Sequence, residues 1–220
     1  MDDPRAVIRR AYRKVDDGFW IPQNEEREIL AASSSPTYGE MTPTSVRRLA
    51  EHLELGPRDV FYDLGSGVGK VINQIAISAP VARCVGVELS PSRVRTARAV
   101  LRRLRTDGLV RAAQVSFRQQ DILAARIRDA TVVYTCSTAF PWTFLGALCD
   151  RVSGLGKPLR FVSVQELVPR DDFELQETLR LDMTWQRRDY VYVYRVTPRA
   201  GSSRSRSRAR PARPRPRSRS

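Results

Sequence analysis

Asp63-Leu64-Gly65-Ser66-Gly67-Val68-Gly69-Lys70 follows the apolar run Val60-Phe61-Tyr62 and leads into Val71-Ile72-Asn73-Gln74-Ile75. A short strand, a glycine-rich turn and a helix are expected in that order, the context in which such a turn is informative. Glycines let the backbone bend tightly and let a ligand approach the main chain. A dinucleotide site would carry a third glycine where Lys70 stands and would set a pyrophosphate on the helix N-terminus. Here the glycines alternate, and Asp63 sits two residues before the first of them. A carboxylate there suits a cationic amino group and repels a pyrophosphate.

On either side of the turn, strand and helix patterns alternate. Val7, Ile8, Ala11, Tyr12 and Val15 fall on one helical face, and a second short helix is expected near residues 24–31. Thr42 as N-cap and Pro43 at the first position start a helix expected to run to about Leu55, closed by Gly56-Pro57. After the glycine turn come strands at 83–89, 113–121, 130–135 and 159–165. Ser90-Pro91 caps a helix that Gly108 ends, and Pro141 opens another running through Leu148. The runs 173–183 and 190–196, with a turn near residues 186–188, read as a terminal antiparallel hairpin. The expected fold is α/β: a seven-stranded, mostly parallel Rossmann-like sheet with helices on both faces.

Glu88 ends the second strand, where a carboxylate can accept both hydroxyls of a ribose, and Asp121 follows the third, where an adenine amino group would lie. Acids at three successive strand ends, together with the glycine turn, fit an adenosyl ligand bearing a positive sulfonium. S-adenosyl-L-methionine is the expected cofactor. No metal site is expected, because His52 is the only histidine and Cys84, Cys136 and Cys149 are widely spaced. Cys136 has no basic partner nearby in sequence and is read as structural.

The net charge of +14 is uneven. Nine arginines and no acid lie from Arg199 onward, and without them the charge falls to +5. Residues 198–220 hold no apolar side chain larger than Ala or Pro, so this segment is expected to be disordered and to bind nucleic acid through its phosphates. The division expected is a helical extension over 1–35, a catalytic domain over 36–197 and the basic tail. No run approaches the roughly 18 apolar residues of a membrane span, and a monomer is expected.

Tyr38-Gly39-Glu40, the DLGSGVGK string and Gly86-Val87-Glu88 resemble the disruptor-of-telomeric-silencing family, the non-SET histone lysine methyltransferases. The likeness covers roughly residues 36–196. It implies a nucleosomal histone lysine as substrate and a nuclear setting, with a bacterial cytoplasm as the alternative. It also implies that Tyr38, Gly39, Glu40 and Met41 close over the methionine part of the cofactor. The remainder of the site would come from Phe61, Tyr62, Asp63, Leu64, Gly65, Ser66, Gly67, Val68, Gly69 and Lys70, with Glu88, Asp121 and Ile122.

The chain departs from that family in two places. An Asn pair and two aromatics follow the fourth strand in the family; here Cys136 and Ser137 replace the pair, Thr138 the first aromatic, and Phe140 fits the second. Lys70 stands where the family has Gln. The substrate channel is expected to involve Phe140, Ser137 and a tyrosine of the last strand, taken as Tyr192. No [D/N]-P-P-[Y/F] element follows the fourth strand, which argues against methylation of adenine or glutamine amino groups. RNA or non-histone protein methylation on the same scaffold is the first rival reading, and a non-catalytic nucleic-acid-binding protein the second.

Overall fold

The central strand β1 (Val60–Leu64) is buried along its whole length. It lies between β2 (Arg83–Glu88) and β4 (Val132–Thr135), parallel to both. Outside these lie β3 (Gln114–Gln119) and β5 (Leu159–Ser163), also parallel. The hairpin of β6 (Phe173–Leu181) and β7 (Asp189–Val196) adds on antiparallel through β7, giving the seven-stranded order β3-β2-β1-β4-β5-β7-β6. This computed structural model describes residues 3–15 and 18–197, so the basic tail lies outside the described residues.

One sheet face is covered by α3 (Pro43–His52), α4 (Lys70–Ser78) and α5 (Pro91–Thr106), whose Leu49, Ile72, Ile75 and Ala97 meet Phe61, Cys84 and Val132. The other face is covered by α6 (Trp142–Ser153). Between β3 and β4 a loop takes the place of a helix, burying Ile122, Ala125, Ile127 and Ala130 against the same face. The Thr42 and Ser90 caps are present, each side chain accepting from the backbone N–H three residues on. α3 stops at His52 rather than near Leu55: Glu54 takes a φ of +47°, and this turn returns Leu55 to the core.

The N-terminal segment packs onto the sheet domain. α1 (Pro4–Tyr12) buries Val7 and Ile8 against Ile77, Val100 and Leu104. Tyr12 Oη donates to the Val68 carbonyl at 2.9 Å and accepts from Asn73 Nδ2 at 2.7 Å, a buried polar tie between α1 and α4. Glu25 of α2 (Gln23–Ala31) accepts from Ser90 Oγ at 2.5 Å, Ser92 Oγ at 2.7 Å and Ser92 N at 3.1 Å. These bonds hold α2 to the start of α5, beside the carboxyl ends of the parallel strands.

Candidate functional site

Ligands of open α/β sheets bind beyond the carboxyl ends of the strands, where strand order reverses. In this order the reversal falls between β1 and β4, and a cavity of ≈ 250 Å³ opens there. Asp63, Gly65 and Ser66 line it from the end of β1, and Glu88 from the end of β2. Asp121 and Ile122 follow β3, while Tyr134, Cys136 and Phe140 come from β4 and its loop. Tyr38 to Met41, Lys70, Phe144 and Trp185 also line it, with Ile29, Ala32 and Ser34 contributed by the N-terminal segment.

The glycine turn is shaped by close approach as well as by φ. At Gly67, with φ +52°, an added Cβ would lie 2.2 Å from the Tyr38 ring. Gly39 has the same relation to Trp185, whose ring would stand 2.4 Å from its Cβ. Glu88 fixes the turn from the neighbouring strand: Gly67 N donates to its Oε2 at 2.8 Å and Ser90 N to its Oε1 at 2.9 Å. A Glu88→Gln side chain can serve only one of these N–H groups and turns its own amide donor on the other. Thermal unfolding of ligand-free E88Q should show a loss of about 1–3 kcal/mol, the cost of an unsatisfied buried donor. Unchanged stability would mean the turn does not depend on this acceptor.

Asp63 is 2% exposed, and its Oδ1 is buried with no hydrogen-bond partner. Burial first, and the nearby Glu88 second, push its pKa well above the ordinary carboxylate range. Cys136 is pushed up to about 12 by burial and then by Asp63, so its thiol stays protonated. Tyr38 Oη donates a short hydrogen bond to Glu40 Oε1, and Lys70 Nζ donates to Glu40 Oε2 at 2.6 Å. Arg93 stacks on the Tyr38 ring at 4.8 Å and donates to the Gly18 and Pro36 carbonyls, so α5 pins both ends of the N-terminal wall.

Several residues expected at the site lie elsewhere. Phe61 packs in the core beneath α3–α5, stacked on Tyr134 at 6.4 Å, and does not line the cavity. Tyr62 and Leu64 point to the opposite face; Tyr62 Oη donates to Asp129 at 2.8 Å. Val68 is buried under α1. Gly67 and Gly69 shape the turn without reaching the cavity wall. Of the three channel residues only Phe140 lines the cavity. Ser137 is buried, 2.7 Å from Ser163 Oγ and accepting from Gln165 N at 3.0 Å, so it ties β4 to β5. Tyr192 lies opposite Ser163 on β7, stacked between Tyr190 and Tyr194.

Trp185 and the N-terminal lining residues were not anticipated. Trp185 reaches the cavity because Thr184 N donates to the Glu40 carbonyl at 2.8 Å and Glu40 N to Thr184 Oγ1 at 3.1 Å. No local pattern announces that long-range pairing.

Among curated proteins, a histone-lysine N-methyltransferase, H3 lysine-79 specific, from Cryptococcus neoformans is 29% identical over 187 residues, covering 78% of this chain. One of the same description from Caenorhabditis elegans is 44% identical over 57 residues, covering 26% of this chain and 6% of its own length. The chain spans 29% of the length of the Cryptococcus relative. Among solved structures, an RNA methyltransferase from Salinibacter ruber in complex with S-adenosyl-L-homocysteine is 25% identical, with a TM-score of 0.54 over 71% of this chain and 93% of that one. Magnesium protoporphyrin IX methyltransferase from Synechocystis shares the fold at 14% identity, with a TM-score of 0.52 over 89% of this chain and 100% of that one. The family model described as histone methylation protein DOT1 matches residues 20–182, which takes in every element from α2 to β6, and the chain therefore belongs to the DOT1 family.

Proposed function

We propose that the chain binds S-adenosyl-L-methionine and methylates a lysine amine on a core histone within the nucleosome. Membership of the DOT1 family supports the reaction class, and the unpartnered, buried Asp63 Oδ1 on the cavity floor carries the cofactor reading. A desolvated carboxyl with an open acceptor position fits an ammonium group, which would restore its charged form and fill that position. Glu88 has lone pairs left for two ribose hydroxyls after accepting from Gly67 and Ser90. Asp121, with Oδ1 accepting from Leu123 N at 2.8 Å, keeps its second oxygen for an adenine amino group.

When bound, the cofactor supplies a methyl group on a positively charged sulfur. The chain contributes alignment and exclusion of water. Phe140 walls the cavity on the side of the β4 loop, and Trp185 does so from the hairpin. The acceptor amine must shed its proton before attack. Cys136 and Tyr38, which line the cavity, are held in their protonated forms by burial, so neither serves as that base.

Incubating intact nucleosomes, free histones and total RNA with labelled cofactor tests the acceptor. Label on a histone lysine in nucleosomes is the expected result; label on RNA alone would replace this reading with the rival on the same fold. The basic tail is proposed to hold nucleosomal DNA, in a chromatin setting. Truncation after Thr197 should leave cofactor affinity intact, weaken nucleosome binding and flatten its salt dependence. The slope should fall by about 0.9 for each phosphate that the tail had neutralised. Equal nucleosome affinity across a salt series, with and without the tail, would show that the tail has no such role.

A further inference from the structure

Tyr134 stands beside Asp63 in the β1–β4 register, so the two side chains leave the sheet on the same face. Its ring is core, stacked on Phe61 and 1% exposed. Its hydroxyl is another matter: Oη is buried and turned toward the Cys136 thiol, and its lone pairs accept from no donor, nor do those of Asp63 Oδ1. Both residues line the cavity. The polar groups nearest in influence are the Cys136 thiol, the Asp63 carboxyl and Glu40. Glu40 is already taken by Tyr38 and Lys70.

A phenylalanine would fill the same space without burying a hydroxyl. Buried acceptor positions left unfilled carry a penalty, so two of them on one cavity wall are a cost that a ligand can remove. Asp63 and Glu40 are carboxyl groups and the Cys136 thiol is at most a weak donor, which favours a cationic donor in the ligand. An ammonium group has three N–H bonds to place and needs more than one acceptor.

We infer that the Tyr134 hydroxyl joins Asp63 Oδ1 as a second acceptor for the α-ammonium of the ligand's amino-acid head. The inference rests on the proposal that the chain binds S-adenosyl-L-methionine, and it adds a specificity-determining residue to that site. Tyr134 then discriminates ligands that carry the amino-acid head from those that carry only the nucleoside and sulfur.

Calorimetry of the wild type and Tyr134→Phe with two ligands tests it: S-adenosyl-L-homocysteine, and 5′-methylthioadenosine, which lacks the amino-acid head. Y134F should bind S-adenosyl-L-homocysteine about tenfold more weakly, the value of one hydrogen bond to a charged group. Its affinity for 5′-methylthioadenosine should match the wild type, and its ligand-free melting temperature should be equal or higher. Unchanged S-adenosyl-L-homocysteine affinity, or an equal loss for both ligands, would overturn the assignment while leaving the cofactor reading in place. A wild type that binds neither ligand would remove the cofactor reading itself, and this inference with it.

Discussion

Asp63→Asn should melt at a higher temperature than the wild type when ligand-free, and should bind S-adenosyl-L-methionine about ten- to a hundredfold more weakly. The two effects have one origin. Asp63 is 2% exposed beside Glu88, and burial raises its pKa well above the ordinary value of 3.8. An acid whose pKa is raised by folding stabilises the fold fully below its unfolded value, and that contribution is lost as pH rises toward the folded value. The stability advantage of D63N should therefore be absent below about pH 4 and grow above it. Pairing with an ammonium lowers the pKa again, so ligand binding to the wild type should release up to one proton. The asparagine keeps the shape and loses a charge-assisted hydrogen bond of roughly 1.5–3 kcal/mol. Melting curves across pH, with calorimetry in two buffers of different ionisation enthalpy, measure both effects. Equal ligand affinity in D63N, with no proton release by the wild type, would dismiss Asp63 as the ammonium's partner.

The turn and its setting were legible because their causes are local. Glycines at alternate positions, Thr42-Pro43 and Ser90-Pro91 act within a few residues, and each feature is found where it was read. The site's membership was less legible, because β1 is buried on both faces and so shows no alternation in its sequence. A contiguous assignment from Phe61 to Lys70 therefore joined cavity residues to residues packed in three other places. Phe61 packs under α3–α5, Tyr62 and Leu64 face α6, and Val68 sits beneath α1.

What remained hidden is tertiary. Trp185 reaches the cavity by pairing with the Tyr38–Met41 loop across more than a hundred residues of chain. The segment before residue 36 looked like an appendage, yet Glu25 and the carbonyls of Gly18 and Pro36 anchor it to α5. Ser137 took its expected role from its position after β4. The strand end turns it inward to Ser163 and Gln165, where a small hydroxyl bridges two strands.

Phe140→Ala should cut turnover about a hundredfold while leaving affinity for S-adenosyl-L-homocysteine nearly unchanged. The phenylalanine follows β4, where the loop faces the substrate side of an open sheet. Its ring rests edge-on against Phe144 at 5.0 Å, and its Cζ lies 3.3 Å from the point where a Gly65 side chain would begin. Phe140 is thus held over the glycine turn by a core residue below it, with its free face on the cavity. Removing it admits water and frees the acceptor, and misplacement by about 1 Å is enough for a loss of that size. Phe144, on α6, also lines the cavity, but it is 3% exposed and belongs to the core between α6 and the sheet. Phe144→Ala should cost roughly 3–5 kcal/mol of stability, whereas F140A, partly exposed to begin with, should cost much less. Melting temperature, cofactor affinity and turnover per folded molecule, measured on both variants, separate the roles. An F140A protein that loses stability as F144A does, yet turns over normally once folded, would assign Phe140 to packing and leave the channel wall to Trp185.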